Sequence, residues 1–276
     1  MSFRSWIAAV ALSGLLGVPL GLSAQQGKGP GLRDILQRVQ ANLDRYDARV
    51  PSFFCEEHVV SSHSEPGERD WNRVTDSIFR LKRTTGPDDA NALVESREIQ
   101  RVDGRAAASQ TMGGPTMLSG AFEGGLAVVS QNQMGCMKYA LQKAKKGRWD
   151  LVVRFATELT PQNAEGCLLQ EKSSGEVEID PASMQIRRLE ITTPRHVMED
   201  GSEYASAVVG RREITVEYAP VMLGGESFWM PSEITMRVVE DGGTFHPLVW
   251  WYRATYRKYH KTEVTSHVVY GDGGVR

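Results

Sequence analysis

Six histidines, three cysteines and a scatter of carboxylates are the residues of this chain best able to do chemistry. His58 and His63 stand five apart, so on a strand they face opposite sides and do not share a metal. Glu56 falls on the side of His58, but a zinc site needs further ligands and no third one is apparent. The other histidines, His196, His246, His260 and His267, read as surface imidazoles. A cysteine nucleophile requires Cys55, Cys136 or Cys167 beside a base, and none has that context. No Gly-x-Ser-x-Gly and no convincing Ser-x-x-Lys frame marks a serine nucleophile. The adjacent acids Glu56/Glu57 and Glu199/Asp200 point apart on a strand, which does not suit paired acid–base work. Gly113-Gly114 and Gly124-Gly125 lack the lysine and the βαβ setting of a phosphate loop. No catalytic residue, no metal and no cofactor is expected, and the chain reads as a non-enzyme.

The N-terminus predicts where these residues work. Arg4 supplies a positive start, Trp6–Leu22 is apolar apart from Ser13, and Ser23-Ala24 offers a cleavage point. That is a secretory signal over residues 1–24, cut after Ala24, and it places the protein in the periplasm or outside the cell. Its removal leaves roughly 250 residues, enough to bury one large β-domain without metals. A formal net charge of −2, with acids and bases interleaved, invites neither nucleic acid nor an anionic membrane. Three cysteines in an oxidising compartment suggest one pair and one leftover. Cys136 and Cys167 flank a region that reads as turn, strand and loop, so a Cys136–Cys167 disulfide is expected, with Cys55 a buried thiol.

The elements that position these residues follow from periodicity. Residues 25–31 form a flexible, glycine-rich leader. Leu32, Ile35, Leu36, Val39, Leu43 and Tyr46 then recur at helical spacing until Val50-Pro51 ends the helix. Beyond Pro51 the period becomes two, with strands over Phe54–Ser61, Val74–Arg83, Leu93–Val102 and Asp150–Leu159. Turns are expected at Ser64–Gly67, Asp103-Gly104, Pro181–Ser183 and Asp241–Gly243. Leu118, Phe122, Leu126 and Val129 step helically, predicting a short second helix despite Gly124 and Gly125. Ile186, Leu189 and Ile191 contain one step of three, as a bulge gives. Alternation continues through Ile214–Tyr218, Ile234–Val238 and Trp250–Arg257, and a last strand is expected at Val264–Tyr270. About ten strands and two helices argue an antiparallel meander over residues 32–270, one domain with a tail at 271–276.

Two of these runs resemble a known superfamily. Gly175–Pro181 followed by Ile186–Leu189, and Ser227–Met236 followed by the aromatic strand Trp250–Tyr259, resemble hairpins of the LolA/LolB-like periplasmic lipoprotein carriers. Arg97–Ile99 with Val102–Gly104, and the start at Phe53–Glu57, are similar to uncharacterised exported bacterial proteins. The resemblance implies an α+β fold, a strongly curved antiparallel sheet forming an incomplete barrel, with helices covering its concave face. It also implies a cavity between sheet and helices that accepts acyl chains, and it supplies no catalytic residue.

Strand Val249–Arg257 carries large side chains on both faces, more than a sheet covered on one side needs. The surplus fits a cavity lining or a partner. What the resemblance implies, with this surplus beside it, is non-catalytic binding of an apolar ligand, a lipid or lipoprotein acyl chains, by a monomer. The residues expected to line the cavity are Leu36, Val39, Leu43, Phe122, Val216, Met236, Trp250 and Tyr252. The alternative is an envelope sensor or protein-docking module using the same sheet. A third reading, an enzyme of unrecognised type, requires a polar cleft where carboxylates, histidines or Cys55 converge.

Overall fold

Apolar and polar residues alternate along nearly every strand, and that alternation builds one two-faced sheet. The structure, a computed structural model, describes residues 30–64, 69–84, 93–107, 122, 125–142, 151–198, 206–241 and 248–262. Among them are one α-helix, α1 (Leu32–Arg49), and eleven strands. The strands are β1 (Phe53–His63), β2 (Trp71–Arg83), β3 (Leu93–Val102), β4 (Arg105–Ala106), β5 (Met137–Leu141) and β6 (Leu151–Thr157). They continue with β7 (Ser174–Ile179), β8 (Ile186–Met198), β9 (Ser206–Leu223), β10 (Glu226–Glu240) and β11 (Leu248–Lys261). All pair antiparallel in the order β4-β3-β2-β1-β11-β10-β9-β8-β7-β6-β5. The chain thus makes two meanders, β1–β4 and β5–β11, joined where its first strand meets β11.

The sheet is mostly β structure with one helix, open and not strongly curled, which corrects the expected strongly curved, incomplete barrel. Closure requires the two edge strands to meet, and β4, only two residues long, offers no ladder to close on. The second helix is also corrected where it is described: Gly125–Val128 is a single 3-10 turn, opened by a poor helix former. Leu118–Ala121 lie outside the described residues, as do the predicted signal, the strand at Val264–Tyr270 and the tail. The bulge foreseen in β8 is present, with the register shifting where Ile179 pairs Ile186 and Glu178 pairs Arg188. Asp103 and Gly104 take φ of 50° and 75°, as a tight hairpin between β3 and β4 demands.

One face of the sheet is apolar. Val59, Phe79, Val177, Leu189, Val216, Ile234, Met236 and Tyr252 belong to a single buried cluster that runs from β2 to β7. Helix α1 lies on this face because Ile35, Leu36, Val39, Leu43 and Tyr46 form its buried stripe. Asp34 in its first turn and Arg49 in its last complement the helix dipole. Arg83 caps the far end from β2, its guanidinium donating to the carbonyls of Asp47 (2.6 Å) and Val50 (2.9 Å).

The opposite face is a lattice of cross-strand ion pairs. Arg80–Glu98, Arg154–Glu176, Arg188–Glu217, Arg237–Glu213 and Arg253–Glu233 run across it from β3 to β6. Such exposed pairs keep the face solvated and add little stability each.

Candidate binding site

The apolar seam beneath α1 is the first candidate. At its centre Val39, Leu43, Tyr46, Met184, Ile186 and Phe228 enclose a cavity of about 20 Å³, room for one water molecule. Asn42 and Arg45 of α1 and Gln185, Ser227 and Trp229 of the sheet complete the wall. Asn42 ties the helix to the β7–β8 turn, its amide donating to the carbonyls of Met184 (2.8 Å) and Ser183 (3.1 Å). That turn is held in shape by Asp180, whose carboxylate accepts from the amide of Ser183 at 2.7 Å. The bond to the Ser183 amide holds the Asp180 carboxyl below its ordinary value. Tyr46 stands edge-on to Phe228 and its hydroxyl reaches the sulfur of Met230 at 3.8 Å.

The eight residues expected to line a cavity all fall on this face. Val39 and Leu43 line the small cavity. Leu36 is buried beside them on α1, and Val216, Met236 and Tyr252 are buried in β9, β10 and β11. Phe122 is fully buried further along, stacked on Phe79 at 4.2 Å and edge-on to Tyr256 at 5.0 Å. Trp250 is half-buried at the end of the face remote from α1, beside His63 and under the Arg195 guanidinium.

Below Phe122 lies an ion pair that sequence reasoning missed. Glu57 faces inward from β1, and its carboxylate accepts from Arg97 Nε at 3.0 and 3.1 Å and from Ser77 Oγ at 2.7 Å. Both charged side chains are nearly inaccessible, at 0% and 5% exposure. Arg97 also lies 4.8 Å over the Phe79 ring, and Glu95 accepts from the Phe122 amide. Burial opposes the charge on Arg97, yet the Glu57 carboxylate raises its pKa above the ordinary value. Next to this pair Cys55 is fully buried, and burial, reinforced by Glu57, pushes its thiol up. The adjacent letters Glu56-Glu57 announced one inward acid, but its partner lies 40 residues away and is found only through register.

The outer face carries an open polar groove of about 690 Å³ over β3, β2, β1 and β11. His58 and Asp76 meet there at 2.7 Å, and Glu56 pairs with Lys258 at 2.8 Å on the same face. Thr255 is the ladder partner of His58. The Asp76 carboxylate orients the His58 imidazole. Cys55 belongs to the other face, as does His63, so the histidines separate as their spacing predicts. Among the described residues no group of three His, Cys, Asp or Glu side chains is arranged to hold a metal.

Cys136 and Cys167 form a disulfide with Cα atoms 5.6 Å apart, which suits an oxidising, extracytoplasmic compartment. Among the described residues no helix is long and apolar enough to cross a membrane.

No protein-family model matches the sequence, and comparison with curated proteins finds no match. The structure is similar to a LolA superfamily protein from Nitrosomonas europaea, at 9% identity and a TM-score of 0.36, covering 83% of this chain and 94% of that one. It is also similar to a DUF1329 family protein from Desulfovibrio piger, at 10% identity and a TM-score of 0.35, covering 83% and 95%. Neither superposition transfers a ligand or a residue role to this chain.

Proposed function

We propose that this is an exported, non-catalytic binding protein that holds an apolar ligand, a lipid or lipoprotein acyl chains, between α1 and the sheet. The observation that carries it is the attachment of α1. One helix covers a broad apolar face, and polar clips at Asn42, Arg83 and the Arg49–Glu226 pair hold its C-terminal half. Releasing Asn42 frees the helix from Met184, Ile186 and Phe228 beneath it, which belong to the same buried cluster as Val216, Met236 and Tyr252. Each ligand methylene received there is worth about 0.8 kcal/mol. Leu36, Val39 and Leu43 form the moving wall, while Phe122 and Trp250 close the strip further along.

The small cavity beneath α1, about 20 Å³, favours a second reading in which the same sheet and helix dock an envelope protein. Native mass spectrometry of the mature protein from its own envelope, followed by organic extraction, separates the two. A stoichiometric lipid, bound more weakly by Leu43→Gln than by the parent, is the expected result. A clean apo mass with no lipid uptake on incubation overturns the carrier reading and leaves the docking one.

A further inference from the structure

The two strands that wall the outer groove both carry bulges at the groove. In β11 an extra residue sits where Phe54 pairs His260 but Glu56 pairs Arg257, and Lys258 takes a φ of 53°. In β3 an extra residue sits where Asp76 pairs Arg101 but Ser77 pairs Ile99. A bulge turns two consecutive side chains toward one face and tilts the strand. Gln100 with Arg101 and Arg257 with Lys258 are accordingly all exposed, on opposite sides of a floor made by β1 and β2. A non-glycine residue in the left-handed region is costly, and such strain gathers where function over-determines the backbone.

The charges of this groove are unevenly satisfied. Its three acids are already engaged, Glu56 with Lys258, Asp76 with His58 and Glu57 with Arg97. Arg101 and Arg257 line the groove and make no ion pair among the described residues, although most other outer-face arginines do. Two guanidiniums on facing walls therefore present open donor forks into a space of small-molecule size. From these observations we infer that the outer groove binds a small ligand bearing two oxyanion groups, carboxylate or phosphate, one on Arg101 and one on Arg257. Gln100 and Thr255 supply neutral donors between them, and Ile78 offers an apolar floor. This site lies on the face opposite the seam beneath α1 and does not depend on the reading given to that seam.

The test uses the mature full-length protein and three probes that each carry two or more oxyanion groups: citrate, 3-phosphoglycerate, and vesicles of cardiolipin in phosphatidylcholine. Calorimetric titration of the two soluble probes and vesicle co-sedimentation are run on the parent and on Arg101→Ala, Arg257→Ala and Arg253→Ala. Saturable one-to-one binding of a soluble probe is expected, weakened about tenfold or more by each groove substitution and unchanged by Arg253→Ala. Vesicle binding with the same pattern supports the same site and identifies a lipid headgroup as the source of the oxyanion. Arg101 and Arg257 are exposed, so unchanged thermal melting confirms that each variant folds. Absence of binding in all three arms, or binding indifferent to both groove arginines, overturns the inference.

Discussion

Glu56 and Glu57 are neighbours on β1, yet one meets Lys258 in water and the other meets Arg97 in an almost waterless interior. The difference extends to the whole sheet. Its outer face spreads charge as a solvated lattice, whereas its inner face, among the described residues, buries the Glu57–Arg97 pair under Phe122 within a largely apolar cluster. Strand alternation alone decides which acid is dispensable and which is structural. A charge on the outer face exchanges one polar setting for another, while the inner pair must satisfy itself completely because water cannot help.

The largest effect is expected where that inner pair is broken. Glu57→Ala removes the nearer of the two buried carboxylates facing Arg97, Glu95 standing at 3.8 Å, and lowers unfolding free energy by about 3–5 kcal/mol, read from the urea midpoint. Glu56→Ala, one residue along, serves as the comparison and shifts it by less than about 1 kcal/mol. Equal effects from the two would erase the contrast between the faces. Phe122→Ala comes close behind, at about 3–4 kcal/mol, because it removes a ring that touches Phe53, Phe79 and Tyr256.

Replacing Cys136 and Cys167 by serine should cost about 2–4 kcal/mol by freeing the unfolded chain, measured under the same denaturant. Alkaline pH offers a subtler probe of the inner face. The folded Cys55 thiol and the Tyr218, Tyr256 and Tyr259 phenols hold their protons more tightly than in the unfolded chain, chiefly because they are buried. Unfolding then releases protons above the ordinary thiol value near 9.0 and phenol value near 10.0. Stability therefore falls as pH rises through that range, and Cys55→Ala flattens the first part of the fall. Melting curves between pH 8 and pH 11 read this directly, and a fall that is identical in Cys55→Ala contradicts it. The smallest change is expected from Glu233→Ala, within about 0.5 kcal/mol, since its pair with Arg253 is exposed.

Much of this architecture is legible in the residues, and what is not has a common cause. The stripe Leu32–Tyr46 foretells α1 because helical spacing is local, and Val50-Pro51 foretells its end. Leu93–Val102 and the Asp103-Gly104 turn are equally local and appear where expected. The Cys136–Cys167 bridge is legible because few cysteines leave few choices. Strand lengths are less so: β9 runs unbroken from Ser206 to Leu223, although its alternation is clear only around Ile214, Val216 and Tyr218. The Glu57–Arg97 pair, the Arg83 cap on α1 and the paired bulges at the groove are invisible in one dimension. Each depends on the register of strands far apart in sequence, and register is set by the whole sheet.

The ladder between β1 and β11 also sets when these sites come into being. Both meanders can assemble from neighbouring hairpins as the chain emerges, because their contacts are short in sequence. Their union waits for Leu248–Lys261, the last described strand to be synthesised. Tyr256 closes the wall around Glu57 and Arg97, and Arg257 completes the outer groove, so neither feature exists in a partly made chain. A fragment ending before Leu248 would carry the other described strands and both Glu57 and Arg97, but lack the Tyr256 wall and the Arg257 side of the groove. Binding in the groove, as inferred above, therefore requires β11 to be in place, so occupancy there would report that β1 and β11 have paired.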